Sequence, residues 1–246
     1  MAHVRFNGKT LRITDPLEMP IYSIPAAAHY LRLPVPPLRS WVAGRSYQVK
    51  TQHRRFRPLI QLPDSSTHLL SFNNLAEAHV LAAFRRVHGI PLASIRKGME
   101  YVRRLYGLAH PLLEQEFATD GVGLFIDHLG QLRDASHGGQ LVIRQVVEAH
   151  LQRLEREHGQ VVRLWPFTRA MTAAVPNSGE PPRTVFMDPR FAFGQPVLAS
   201  KRIPTAAIAQ RYKAGESIED LANDYGCEKA EIEEGIRCEL DLRAAA

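Results

Sequence analysis

Residues 22–57 read YSIPAAAHYLRLPVPPLRSWVAGRSYQVKTQHRRFR, and this stretch decides how the chain is read. Ser23 is a good N-cap and Pro25 falls in a first helical turn, where a missing N–H costs nothing. The spacing predicts a short helix that turns Ala27, Ala28 and Leu31 inward and ends near Leu33-Pro34. A second helix starts at Pro36-Pro37, carries Leu38 and Trp41 on one face, and stops at Gly44. Two short helices across a tight turn form a helix-turn-helix whose second helix fits the DNA major groove. The arm after Gly44 is basic, with Arg45, Lys50, Arg54, Arg55 and Arg57.

These residues resemble the N-terminal winged helix-turn-helix of the MerR type. That pattern has a Tyr-Ser/Thr-Ile opening (Tyr22, Ser23 and Ile24 here), an alanine-containing first helix, and Thr-Leu-Arg-x-Trp on the recognition helix. Leu38, Arg39, Ser40 and Trp41 match, with Pro37 in place of the threonine. An arginine before a short strand is usual in the wing, and Arg57 before Pro58-Leu59-Ile60 takes that place, although the wing is longer than usual. The resemblance implies DNA contacts from Tyr22, Ser23, Pro37, Arg39, Ser40, Arg45, Lys50, Arg54, Arg55 and Arg57. Their chemistry suits that role: guanidinium and ammonium groups neutralise phosphates, and guanidinium can reach base edges bidentately.

Charge is unevenly placed along the 246 residues. Residues 1–62 hold ten Lys/Arg against two carboxylates, a net +8; residues 63–203 hold sixteen against thirteen; residues 204–246 hold five against ten, a net −5. A basic head and an acidic tail suggest partners of opposite charge. Hydrophobic content of 45% and charged content of 23% are ordinary for a globular chain. There is no apolar run of the length a membrane helix needs. MAHVRFNGK lacks the apolar core of a secretory signal, so the expected location is cytoplasmic, with no membrane partner. Cys227 and Cys238 are too few for a disulfide framework and lack metal-ligand neighbours.

Ahead of the head, Val4–Phe6 and Thr10–Ile13 alternate around Asn7-Gly8, a hairpin signal. After the wing, helical patterns run from Asn73 to His88 and from Pro91 to Gly107, an order that also resembles the segment after a MerR-type head. Pro111 to Asp120 reads as irregular and Val122 to Asp127 as a strand. From Gly139 a helix carries Ile143, Val146, Val147, His150, Leu151 and Leu154 in a heptad-like stripe, either a dimer seam or an internal core face. Val161 to Trp165 reads as a strand, and Ala174 to Arg183, rich in Pro, Gly and Ser, as a linker. The last part reads as strands at Thr184–Met187 and Pro196–Leu198, then helices at Thr205–Ala214, Ser217–Tyr225 and Glu228 to about Leu242.

That last part carries a sharper resemblance. It looks like a small prokaryotic domain of formerly unknown function with an Asp-Pro…Gly-x-Pro-Val…Arg-Ile-Pro signature, here Asp188-Pro189, Gly194, Pro196-Val197 and Arg202-Ile203-Pro204. Ala214-Gly215, Ser217, Leu221-Ala222 and Asp224-Tyr225-Gly226 continue it, while Ala199-Ser200-Lys201 departs from the common Arg-Gly-Thr. Members are regarded as antitoxins of PIN-like ribonuclease toxins, and a MerR-like head ahead of this domain is similar to certain VapB-type antitoxins. The expected fold is therefore mainly α with small β elements. It comprises a winged helix-turn-helix head (1–110), a helix/strand middle (111–173) and a C-terminal three-helix, helix-turn-helix-like domain (184–246).

The expected function is that of an antitoxin: it neutralises a PIN-like ribonuclease by protein binding, and as a homodimer it binds operator DNA for autoregulation. Glu231 and Glu234 in the tail, with Ile143, Val147 and Leu151 in the stripe, are the expected toxin or dimer contacts. The segment EKAEIEEGIRCELD holds six acidic and two basic residues and would be repelled by phosphates, so the head reads DNA rather than the tail. Two alternatives stand beside this: a MerR-like regulator responding to a small effector without a toxin, and a nucleic-acid-processing enzyme using Asp127, His128 and Asp134. There is no phosphate loop, His-Glu-x-x-His or Cys-x-x-Cys. Asp127, His128, Asp134 and His137 lie within eleven positions, which a polar turn explains better than a metal site. The chain is read as a non-enzyme with no metal and no cofactor.

Overall fold

The computed structural model describes residues 2–6, 9–13, 15–49, 52–86, 92–107, 109–114, 117–123, 125–126, 137–169 and 182–240. Helix dominates, and the strands form small antiparallel pairs, as the sequence predicts. The elements are β1 (Ala2–Phe6), β2 (Lys9–Ile13), α1 (Ile24–Tyr30), α2 (Val35–Ala43), β3 (Arg45–Val49), β4 (Gln52–Phe56), α3 (Phe72–Arg86) and α4 (Leu92–Tyr106). Next come α5 (His137–Leu151), β5 (Leu154–Glu157), β6 (Gln160–Leu164), β7 (Val185–Phe186), β8 (Val197–Leu198), α6 (Thr205–Lys213), α7 (Ile218–Tyr225) and α8 (Lys229–Glu239).

The core is built around α3. Leu75, Ala76, Ala78, Val80, Leu81, Ala82, Ala83 and Phe84 are all buried, and so are the polar Asn74, Glu77 and His79. A helix whose residues are buried around most of its circumference must be surrounded by the rest of the fold. Its four alanines between positions 76 and 83 let neighbours approach closely. The 3-10 turn Pro16–Glu18 packs on it, as do α5 and the 3-10 turn Pro111–Leu113. Ile143 and Val147 of α5 are buried against it and Leu151 is partly buried, with His79 Nε2 3.1 Å from the His150 carbonyl. The heptad-like stripe is therefore an internal face, so Ile143, Val147 and Leu151 are not a seam open to a dimer partner or toxin.

Three further expectations are corrected. The helix stops at Leu151, and Leu154 opens β5, which pairs with β6 in register Leu154↔Leu164. Phe117–Gly121 forms a π turn, and residues 122–123 and 125–126 are helical where a strand is expected at Val122–Asp127. Phe125 explains why: its ring lies 4.5 Å from Phe84 and 6.2 Å from Phe117, so burial on one side wins over strand propensity. Leu59-Ile60 is a bend, and the wing strands are β3 and β4. Asp127, His128 and Asp134 lie outside the described residues, as does nearly all of the expected linker.

Glu77 would be costly in this core if unpaired. His110 spans it and Glu18, with Nδ1 3.0 Å from Glu77 and Nε2 2.9 Å from Glu18. Burial disfavours the charged imidazole, but the hydrogen bonds to the two carboxylates outweigh it and push its pKa up to about 10. A His held above its ordinary value contributes stability that is complete below that value and lost as pH rises through the folded one. Urea unfolding across a pH series should show this contribution disappearing between about 6.5 and about 10, with a flatter profile for His110→Asn. Equal slopes in both proteins would show that His110 is not charged in the fold.

Candidate nucleic-acid interface

The helix-turn-helix forms for local reasons. Ser23 Oγ accepts the Ala26 N–H at 3.2 Å, capping α1, and Ile24, Ala27, Ala28 and Tyr30 face inward. The helix ends in a Schellman motif, with Leu33 N–H donating to the Ala28 carbonyl at 2.8 Å and Arg32 N–H to that of His29 at 3.1 Å. The left-handed position of that motif, usually glycine, is Arg32, at φ +54°. α2 comes next, with Pro36 and Pro37 in its first turn, and buries Leu38, Trp41 and Val42. Gly44, at φ +74°, turns the chain into β3. The far end of the wing is stapled back, as the Leu59 and Ile60 N–H groups both donate to the Trp41 carbonyl at 2.7 and 3.0 Å.

Of the residues expected at DNA, Arg39, Arg45 and Arg57 are exposed around α2 and the base of the wing. Pro37 and Ser40 are half-buried on α2. Ser23 is exposed, but its hydroxyl is committed to the helix cap. In the β3–β4 register, Arg54 stands opposite Tyr47 and Arg55 opposite Ser46. The side chains of Arg54 and Arg55, and all of Lys50, lie outside the described part of the structure. Tyr22 is a correction: it is 1% exposed, and its hydroxyl donates to the Gly194 carbonyl at 2.8 Å. It joins the head to the tail and has no free face for DNA. Gly194 has to be glycine here, since a Cβ would lie 2.3 Å from the Tyr22 oxygen.

Among the described residues Tyr22, His29, Tyr30 and Arg32 bond the head to the tail, and sequence reading foresaw none of these bonds. Tyr30 Oη donates to Gln195 Oε1 at 3.1 Å, and His29 Nε2 lies 3.0 Å from the Cys238 carbonyl. Arg32 donates to the carbonyls of Arg237, Cys238 and Leu240, at 3.2 Å to Cys238 and 2.8 Å to Leu240. Its guanidinium thus caps the C-terminus of α8, where carbonyls lack helical partners and the helix dipole favours a cation. Nothing local in the sequence signals a partner some two hundred residues away.

The tail's acidic groups are mostly engaged within the chain. Glu228 and Glu231 form the capping box of α8, and Glu233 pairs with Arg237 at 3.0 Å. Glu234 is buried and bonded by Thr168, Arg169 and Arg237. Burial opposes its ionisation, but those bonds outweigh it and hold the pKa below the usual range. Glu234 is therefore an internal anchor of α8 rather than a free contact for a toxin.

Fold and surface together define a helix-turn-helix protein with a basic wing, its head clasped by a C-terminal helical domain. Residues 20–99 match the family described as "Putative DNA-binding HTH domain", and residues 185–237 match "Protein of unknown function (DUF433)". The chain thus joins the two domains that the sequence resemblance implied. It is 27% identical to "Putative antitoxin VapB45" of Mycobacterium tuberculosis, over 89% of this chain and 93% of that protein. It is 22% identical to "Uncharacterized protein Rv2308" of the same organism, over 92% of each. The crystal structure of Rv2018 from Mycobacterium tuberculosis has the same fold, with a TM-score of 0.62 and 22% identity, covering 89% of this chain and 99% of that one.

Arg32→Ala should leave the α8 carbonyls short of donors and cost roughly 1–3 kcal/mol of unfolding free energy. Hydrogen exchange should rise in the last turn of α8 and at the α1–α2 turn together. A loss confined to one of the two would mean that the guanidinium does not couple them.

Proposed function

We propose that this chain is a DNA-binding antitoxin and autoregulator, with no catalytic activity of its own. The observation that carries the reading is the exposed set Arg39, Arg45 and Arg57 around a helix-turn-helix and its wing. The family match over residues 20–99 and the similarity to a protein named as an antitoxin support it. The head binds operator DNA largely through phosphates. With about six basic residues engaged, log affinity falls against log salt with a slope near −5. A single head covers one half-site, so the chain acts as a homodimer. Its seam is a surface other than the Ile143–Leu151 stripe.

The rest of the chain holds a PIN-like ribonuclease toxin. With Glu234 buried and Glu231 in a capping box, the exposed carboxylates of α7 are the candidates to meet a cationic toxin surface: Glu219, which would exchange its surface partner Lys229, and Asp220, which also accepts the Ser217 hydroxyl. Electrostatic attraction would speed capture, while apolar contacts supply most of the affinity.

Two measurements test this. Fluorescence anisotropy with duplex DNA should show Arg39→Ala/Arg45→Ala binding weaker by at least about tenfold. Both side chains are exposed, so melting should be unchanged. Unaltered DNA binding in that variant would remove the interface. Light scattering on the chain co-expressed with a ribonuclease encoded beside it should give a mass of two chains plus toxin. A single free chain would contradict both the dimer and the toxin.

A further inference from the structure

Beneath the wing the chain leaves β4 and passes Arg57, Pro58 and Leu59 before its amides reach Trp41. α4 runs alongside, and an open cleft of about 470 Å³ lies between them. Its walls include Arg57, Arg96, Arg103 and Arg104, and its floor includes Leu59 and Met99, which are 2% and 1% exposed. Glu100 is the one carboxylate on the wall. Arg96 donates to the Arg57 carbonyl and Arg103 to that of Leu59 at 2.8 Å, while Arg104 Nε reaches the Glu100 carbonyl at 3.3 Å. The acceptors given for Arg103 and Arg104 are backbone carbonyls, so these bonds position the guanidinium groups without forming an ion pair, although Arg103 also feels the buried Glu77. Among the described residues, no ion pair involves Arg57, Arg103 or Arg104.

Four guanidinium groups around an apolar floor repel one another, and the low-dielectric floor strengthens both that repulsion and the pull on an anion. Guanidinium forks match the oxygens of a phosphate bidentately. The cleft adjoins the wing base, and Arg57 follows Phe56, which pairs with the exposed Arg45. We propose that this cleft is a phosphate clamp that grips the backbone of duplex DNA beside the wing, apart from the contacts of α2. It rests on the DNA-binding reading above and adds a second anchor to it. A clamp here fixes the wing's angle, because Arg96 and Arg103 hold the wing's return segment from α4.

Arg57→Ala/Arg104→Ala is the informative variant, since neither side chain holds the wing and both are exposed. The probe is a mixed-sequence DNA duplex of about 30 base pairs, titrated by anisotropy across a salt series, with the full chain. Losing two phosphate contacts should make the log–log salt slope shallower by about 2 and weaken binding on the order of thirtyfold near 0.15 M salt. Arg104→Gln, which keeps helix propensity, should give about half that change in slope and guards against a misfolded double variant. Unchanged slope and affinity in both, with Arg39→Ala/Arg45→Ala still weakened, would place the cleft and Arg57 off the DNA and leave the head reading resting on Arg39 and Arg45. No duplex binding by the unmodified chain would overturn the reading and the clamp together. Calorimetry with inorganic pyrophosphate adds one more outcome. Pyrophosphate held by the unmodified chain and lost in the variant, with duplex affinity unaltered, would make the cleft a small-anion site and overturn the clamp.

Discussion

The Arg32 guanidinium on the last carbonyls of α8 is the interaction on which the placement of head against tail depends. Arginine in the left-handed position of a helix stop costs about 1 kcal/mol or more of backbone strain, which glycine would avoid. Here the side chain offsets that cost by supplying donors to three carbonyls that have no helical partner. The same turn sets the angle between α1 and α2. Arg32 and His29 thus join α8 to the helix-turn-helix directly, and Tyr22 and Tyr30 brace the contact through Gly194 and Gln195.

Behind this junction, α3 sets the second constraint. Its burial on all sides forces its polar groups to find partners inside the fold. Glu77 takes His110, and His79 stacks on Phe167 at 5.5 Å while facing the His150 carbonyl. Farther along, the buried Arg153 is fastened to the carbonyls of Trp165, Pro166 and Pro182, tying the start of β5 to the segment after β6 and to the end of the expected linker. Asp188, also buried, accepts from the Arg190 backbone and meets Arg163 at 3.4 Å. Polar groups thus fix which surfaces meet, while apolar burial around α3 supplies the driving force.

Local signals made much of this legible in the sequence. The Ser23 cap, the prolines of α2, Gly44, Ser217 and Gly226 mark helix ends by backbone chemistry, and the structure has helix ends at each. Periodicity was less decisive. The Ile143–Leu151 stripe shows that one face of α5 is buried, but it cannot say whether α3 or another chain covers it. The apolar run within Val122–Asp127 reads as a strand, yet Phe125 is drawn to Phe84 and sits in a helical turn. Least legible were Tyr22 and Glu234, each suited to a surface role by type and each buried by partners far away in sequence. Arg32 could not be singled out at all, because its acceptors are backbone carbonyls and carry no side-chain signature.

Charge in the linear sequence and charge on the surface differ for the same reason. Several of the tail's carboxylates are paired, with Arg169, Arg211, Lys229 and Arg237, whereas Arg39, Arg45 and Arg57 stand exposed on the head. That asymmetry assigns duplex DNA to the head although both ends of the chain contain a helix-turn-helix-like pair. Hydrogen–deuterium exchange of the full chain with and without duplex DNA tests the assignment most directly. Protection is expected over residues 35–60, with the amides of residues 217–240 unaltered or only slightly slowed. Strong protection of 217–240, with 35–60 unchanged, would contradict it.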